Sequence, residues 1–223
     1  RYGKLLSGGT GTGKTTIVNL LSNFIPSYER VLTIEDAFEM QLSAEHVVSL
    51  QTKEASSADD AVNVTLAHLL RASLRMRPDR IIVGEIREGE GAAVMLAAAN
   101  TGHDGTMTTI HANSVDMALN ERLVDLVRQL RNSSDEAIRR TIVNAFDLVV
   151  QVSRGRKGNR YISQIAQVDR TFIENGVIKP LIIFQGEDDN GRTSFKLVNK
   201  VNPGTDLGER LKSLEYNQWL EEG

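Results

Sequence analysis

Gly8 to Thr15 reads GGTGTGKT, a full match to G-x-x-x-x-G-K-[ST]. Each residue type has a task toward an anion. Gly8, Gly9, Gly11 and Gly13 let backbone N–H groups turn inward and approach phosphate oxygens closely, with Thr10 and Thr12 between them. A helix that opens at Lys14, Thr15 and Thr16 presents its positive N-terminus to the same anion. Lys14 is long enough to reach β- and γ-phosphates, and Thr15 supplies a hydroxyl for Mg²⁺. A chance match in a glycine-rich turn is the competing explanation. Here a short apolar strand precedes the loop and a helix follows, as phosphate binding requires.

A phosphate loop alone hydrolyses nothing: a carboxylate must hold the metal's water and another group must orient the attacking water. Glu85 closes RIIVGE, where the acid of a Walker B strand belongs, although here the acid is Glu and follows a glycine. Glu35 and Asp36 close VLTIED, the strand after the phosphate-loop helix. Carboxylates at strand C-termini beside such a loop lie in the crevice where α/β sheets bind ligands. Either acid read alone is a surface residue at a strand end; the upstream loop favours function.

TGHDGTMTTIHANS, residues 101–114, holds His103 and His111. With no Cys in the chain and no third His nearby, a zinc site is not expected. If the strand before His111 is parallel and adjacent to the RIIVGE strand, His111 falls on the same crevice. There it can hydrogen-bond a γ-phosphate and lose that bond on hydrolysis, a sensor of nucleotide state. For His103 the sensor and a structural loop cap stand level. His46 and His68 read as surface or packing residues. Arg71, Arg75, Arg77 and Arg80 crowd the segment before RIIVGE and read equally as transition-state cations or a solvated basic face. Arg87, two residues after Glu85, is better placed for chemistry.

The elements that must position these groups follow from apolar spacing. Strands are expected at 3–7, 30–35, 47–51, 80–84 and 105–111, then at 148–152, 161–168, 177–184 and 194–199. Helices are expected after the phosphate loop, from an Asp59 N-cap through Leu74, at 90–100 with Gly102 as stop, at 115–131, to Ala145 from a Ser133/Glu136 capping box, and at 206–220. GRKGN and EDDNGR read as turns. Alternating strands and helices to about residue 150 predict an α/β fold with a mostly parallel central sheet, and antiparallel strands added toward the C-terminus. One domain over 1–223 is the simplest organisation.

Composition bounds the rest. A formal net charge of -3 gives no global nucleic-acid footprint. The absence of cysteine fits a reducing compartment, and no apolar run has the length of a membrane helix. The chain opens on Arg1, with the phosphate loop a few residues in, so a preceding N-terminal part is expected.

SGGTGTGKTT, VLTIEDAFEMQL, LRMRPDRIIVGEIR and NTGHDGTMTTIHANS resemble, in order and spacing, the Walker A, Asp, Walker B and His boxes of secretion-system ATPases. These are the hexameric motors of type II and type IV secretion and type IV pilus assembly. LRMRPDRI, the His-box wording and DLVVQVSRGRKGNR are similar to the Tad (Flp) pilus-assembly branch. The likeness covers roughly residues 1 to 170. It implies a RecA-like P-loop NTPase that hydrolyses ATP with Mg²⁺. It implies a homo-oligomer, a hexamer, in the cytoplasm and peripheral to the bacterial inner membrane through platform proteins; the net charge of -3 and the lack of an aromatic-basic stripe weigh against a nucleic acid partner. It places the water-polarising role on Glu35, Mg²⁺ support on Glu85, the His box on His111 and its GH pair on His103; Ala37, Phe38 and Glu39 stand for the family's AxE. The resemblance implies an N-terminal domain that contributes to the nucleotide site, expected to lie outside residues 1–223. A conjugative type IV secretion ATPase is the near alternative. A nucleic-acid motor and a nucleotide-binding scaffold that does not turn over are the alternatives of other classes.

Overall fold

The computed structural model describes residues 3–54, 63–101, 105–130 and 133–221. Five strands carry the crevice: β1 (Lys4–Gly8), β2 (Arg30–Glu35), β3 (His46–Gln51), β4 (Arg80–Val83) and β5 (Met107–Ile110). Four more extend the sheet: β6 (Leu148–Arg154), β7 (Arg160–Gln167), β10 (Leu181–Asp189) and β11 (Arg192–Leu197). Among the described residues these nine form one sheet in the order β11-β10-β7-β6-β1-β5-β4-β2-β3. β8 (Ile173–Glu174) and β9 (Val177–Ile178) pair separately.

β1 lies between β5 and β6 with all three parallel, Lys4 level with Met107 on one side and Leu148 on the other. β4 joins β5 and β2 in the same sense, and β3 follows β2. Central parallel strands are covered on both faces, so they read as near-continuous apolar runs: Ile81 to Val83, and Val31, Leu32 and Ile34, are buried. Because β1, β2, β4 and β5 share one direction, the loops that follow them open on one edge of the sheet. The strand before His111 is thus parallel and adjacent to β4, which meets the condition for His111 to reach the crevice. Antiparallel growth begins only at β7, since β6 is still parallel to β1.

α1 (Lys14–Ser22) covers one face over Leu6, Val31, Ile82 and Met107. The other face is covered by α2 (Leu66–Ser73), α3 (Gly89–Ala99), α4 (Leu123–Arg128) and α5 (Asp135–Ala145), with Phe146, Leu70, Met95 and Leu96 in a larger core. Each such side chain contributes about 1.5–3 kcal/mol when fully buried. α6 (Asp206–Ser213) packs Leu207 with Val201, Ile183 and Leu220.

Several boundaries differ from expectation. α2 begins at Leu66 because Thr65 caps it: Thr65 and His68 exchange hydrogen bonds in a capping box, while Val64 is bridged to Lys53 in extended backbone. Asp59 and Gly102 lie outside the described residues. Ser134, not Ser133, caps α5 by accepting from the Ala137 N–H at 3.3 Å. The expected helix 115–131 widens into a π-helical turn at Met117–Arg122 before α4. There the Asn120 amide pairs with both the N–H and the carbonyl of Ile178, each at 2.9 Å, tying the turn to β9. Expected strand 177–184 divides at Pro180, which lacks an N–H for the ladder, and Leu181 opens β10 beside β7. The EDDNGR turn contracts to Asn190-Gly191, both at positive φ, with Asp189 paired to Arg192. The C-terminal helix stops at Ser213, and a 3₁₀ turn follows at Asn217–Trp219.

Candidate functional site

β1 delivers the phosphate loop into the crevice at close quarters. A Cβ on Gly8 would lie 2.5 Å from the Val152 carbonyl oxygen and 2.7 Å from Thr12 Oγ1, so only glycine lets the loop leave the sheet against β6. Gly13 sits at φ 99°, and the helix starts at the next residue. Thr12 Oγ1 donates to the Gly9 carbonyl at 2.9 Å and braces the turn. The half-buried Lys14 ammonium donates to the carbonyls of Gly8 at 2.8 Å and Gly9 at 3.1 Å, which holds it inside the loop's curve. Burial holds this ammonium below the usual lysine range; Glu85 opposes the lowering and Arg87 adds to it.

The two acidic strand tips are built differently. Glu35 is only 3% exposed. Its Oε1 accepts the N–H groups of Glu39 at 3.0 Å and Met40 at 2.8 Å, which fixes the side chain and the following loop together. Its Oε2 is buried and has no hydrogen-bond partner among the described residues. Glu85 instead receives Arg87, whose Nη2 and Nε donate to Glu85 Oε2 at 2.8 and 3.1 Å. Arg87 also stands 3.6 Å from Asp36, and the hydrogen bond to Glu85 raises the guanidinium's pKa further. Asp36 is in turn held by Thr52 Oγ1 at the end of β3, 3.1 Å away.

β5 places the His box beside them. His111 Nδ1 lies 3.5 Å from Thr10 Oγ1 of the phosphate loop. The Ala112 carbonyl accepts from Gln151 Nε2 at 3.2 Å and Ser7 Oγ at 3.4 Å, so the chain after His111 is anchored to β6 and β1. Thr109 Oγ1 donates to the Gly84 carbonyl at 2.6 Å and Ile86 N–H donates to the Thr109 carbonyl at 3.0 Å, locking the tips of β4 and β5 together.

One cleft of about 690 Å³ gathers these groups. It is lined by the loop from Thr10 to Thr16, by Glu35, Glu85 and Arg87, and by His111. Gly8 and Gly9 stand behind it as the carbonyls that hold Lys14. Arg122 and Arg160 line the cleft without any sequence argument for a role there. Arg160 ends the GRKGNR stretch, a segment noticed only for its wording; Arg122 is brought in by the π-helical turn, which apolar spacing does not signal.

Other candidates go elsewhere. Arg80 makes a buried ion pair with Glu29, and Arg71 pairs with Glu90 at 2.6 Å. Neither these two nor Arg75 and Arg77 line the cleft. His46 Nε2 meets Arg30 at 2.7 Å, and His68 serves the α2 cap. His103 lies outside the described residues.

The residues fit a nucleotide and a divalent cation. A glycine cradle, a half-buried ammonium, the Thr15 hydroxyl and a buried unpartnered carboxylate oxygen share one cleft, an oxygen donor set suited to Mg²⁺.

A family model described as "Type II/IV secretion system protein" matches residues 2–175. The chain is 40% identical over 163 residues to the conjugal transfer protein TrbB of Rhizobium radiobacter, covering 72% of this chain and 46% of that protein. It is 42% identical over 155 residues to the type IV secretion system protein PtlH of Bordetella pertussis, covering 67% and 44%. It therefore spans about half the length of these relatives. Among solved structures, the VirB11 ATPase of the Brucella suis type IV secretion system, crystallised with sulphate, superposes with a TM-score of 0.64 at 37% identity, over 74% of this chain and 47% of that one. The pilus retraction motor PilT with bound ADP superposes at 0.58 with 22% identity over 97% of this chain and 52% of that one, a likeness of fold.

Proposed function

The chain belongs to the type II/IV secretion system protein family, and from that premise we propose that it is the ATPase domain of a ring-forming motor. It hydrolyses ATP with Mg²⁺ and turns loss of the γ-phosphate into domain movement for secretion or pilus assembly. The observation that carries this reading is the convergence of Lys14, Glu35, Glu85 and His111 from separate strand tips on one cleft. That residues 1–223 form one RecA-like domain is supported by the shared sheet.

Each side chain has a task that its geometry allows. Gly8 to Thr16 wrap the phosphates with backbone N–H groups at the positive start of α1. Lys14 bridges β- and γ-phosphates. Thr15, through its hydroxyl oxygen, and Glu85 would hold Mg²⁺, which would supply charge neutralisation at the phosphates. Glu35 Oε2, buried and without a hydrogen-bond partner among the described residues, orients and polarises the attacking water while Oε1 keeps the carboxylate still. Arg87 holds Glu85 and stands ready to offset charge on the phosphoryl group. His111, touching the phosphate loop through Thr10, reports the nucleotide state to the chain after β5. The motor works as a homo-oligomer, a hexamer, at the cytoplasmic face of the bacterial inner membrane, bound through platform proteins and not through nucleic acid. Among the described residues no helix is long and apolar enough to cross a membrane, which suits attachment through partners.

The pilus reading rests on the Tad-like wording of LRMRPDRI and DLVVQVSRGRKGNR. A conjugative type IV secretion motor is the second reading, favoured by the names of the relatives at 40% and 42% identity. Both use the same chemistry. Lys14→Ala is the test: Mg-ATP binding, read by calorimetry, should fall at least about a hundredfold, since a charged hydrogen-bond donor to phosphate is lost from a partly buried site. Binding within about twofold of the unmodified chain would remove the nucleotide reading.

A further inference from the structure

The π-helical turn at Met117–Arg122 interrupts a stretch whose apolar spacing is that of a regular helix, so contacts from outside the helix must hold it open. Two do. The buried Asn120 engages its whole carboxamide: Nδ2 donates to the Asp116 carboxylate and to the Ile178 carbonyl, and Oδ1 accepts from the Ile178 N–H, each at 2.9 Å. A widened turn shifts the helical ladder, and the Asn120 carbonyl is met by Arg139 Nη2 of α5 at 3.3 Å. Each such bond contributes about 0.5–1.5 kcal/mol net, and a fully satisfied buried amide fixes one arrangement.

The turn ends on Arg122, which lines the phosphate cleft. Arg122 is exposed and makes no hydrogen bond or ion pair among the described residues. Glu35, Asp36, Glu39 and Glu85 line the same cleft, yet Arg122 pairs with none of them. Arg87, by contrast, is engaged by Glu85 and stands near Asp36. An unpaired guanidinium in such a cleft is available to an incoming anion, and its planar fork matches phosphate oxygens. The turn follows β5 and His111 along the chain, on from the Ala112 carbonyl that is tied to β6 and β1. Glu35, Glu85 and His111 serve the terminal phosphate in the motor reading. π-Helical turns are frequent at functional sites.

We propose that Arg122 is a further catalytic residue, a cation for the terminal phosphate, and that Asn120 is the positioning residue that holds it there through the π-helical turn. The proposal rests on the nucleotide reading of the phosphate loop, which does not itself require either residue. In hydrolysis the water oxygen bonds to the γ-phosphorus as the bond to the bridging oxygen breaks. ADP keeps that electron pair, one water proton stays on the phosphate and the other is released. Arg122 gains and loses no proton; it offsets charge on the equatorial oxygens.

Calorimetric binding of AMP-PNP, a non-hydrolysable ATP analogue, and of ADP, each with Mg²⁺, tests both parts, because only the first carries the phosphate that Arg122 holds. In Arg122→Ala the ratio of AMP-PNP to ADP affinity should fall about tenfold, the weight of one charged hydrogen bond, with ADP binding within about twofold of the unmodified chain. Asn120→Leu should lower the same ratio about fivefold, and in the Arg122→Ala background should change it by less than about twofold. A ratio that Arg122→Ala leaves unchanged overturns the catalytic assignment. Equal factors for Asn120→Leu in the two backgrounds overturn the positioning role, since a merely structural loss is indifferent to Arg122. If Asn120→Leu does not fold, Asn120→Asp takes its place: it keeps an oxygen for the Ile178 N–H and sets the other against the Ile178 carbonyl. Lys14→Ala separates this inference from the reading beneath it. Binding that depends on Lys14, with a ratio indifferent to Arg122, sinks the inference alone; binding of both probes indifferent to Lys14 sinks the nucleotide reading itself.

Discussion

Glu35 and Glu85 stand at the tips of neighbouring parallel strands and line one cleft, yet their surroundings are opposite. Glu35 is sunk in protein, gripped through one oxygen by two backbone N–H groups, with the other oxygen left over. Glu85 is more open and is held by an exposed partner, Arg87, whose side chain is 63% exposed. A fixed, dry carboxylate suits the placing of a water molecule, which fails with small displacements. A carboxylate held by a long exposed cation suits the changing coordination around an ion. Strand register alone treats the two acids alike; only their partners tell them apart.

The largest break in this comparison comes from Glu35→Gln. The amide keeps the oxygen that Glu39 and Met40 need, so the loop should stay and ATP binding should remain within about threefold. Turnover should fall by about 10²–10⁴, the usual contribution of a positioned base. Equal losses in binding and turnover would mean that Glu35 is only a loop clamp. Glu85→Gln should cost less, roughly ten- to a hundredfold, and should appear mainly as a raised Mg²⁺ requirement in steady-state assays. If Glu85→Gln alone abolishes turnover at saturating Mg²⁺, the roles are exchanged. Arg87→Ala sharpens the contrast by releasing Glu85: the Mg²⁺ concentration for half-maximal binding should drop a few-fold, and stability should change by less than about 1 kcal/mol because the pair is exposed. A rise in the Mg²⁺ requirement would show that the ion pair orients Glu85 instead of competing for it.

An effect on stability and none on turnover lies behind the cleft. Burial, aided by Arg80, pushes Lys4 down to about 8 from 10.5, while Asp147 and Glu29 pull it back up. Between those values the unfolded chain binds a proton that the folded chain has released, so stability rises with pH across the window. Below pH 8 both states are protonated and the cost of burying the charge is felt in full. Urea unfolding at pH 8 and pH 10 should show this rise, up to about 1.4 kcal/mol per pH unit, and Lys4→Met should flatten it without touching turnover. An equal rise in both chains would place the titration elsewhere.

The phosphate loop, both acidic tips and His111 were legible in the sequence because each depends on local order: a glycine spacing, or an apolar run closed by a polar residue. Alternating elements predicted a parallel sheet, but that β5 lies beside β4 stood only as a condition, because chain order does not fix strand order; the ladder supplies it. What escaped was set by contacts distant in the chain. Arg160 reaches the phosphate loop only because β7 folds back on β6, and no local spacing encodes that return. The cap at Ser134 was missed by one residue, since neighbouring serines offer the same oxygen and tertiary pairing of Arg128 with Asp135 accompanies the later start. The four upstream arginines looked alike in sequence, and ion pairs to Glu29 and Glu90 drew two of them away.

The π-helical turn at Met117–Arg122 carries one more residue than an ordinary helix would spend on the same span. Arg122 owes its address in the cleft to that surplus, and Asn120 holds it in place by gripping Ile178. A chain shortened by a single residue within the turn would rewind to regular pitch and swing everything on one side of it through about 100°. Either the arginine or the asparagine would then face the wrong way, so Arg122 could not keep its place in the cleft while Asn120 keeps Ile178.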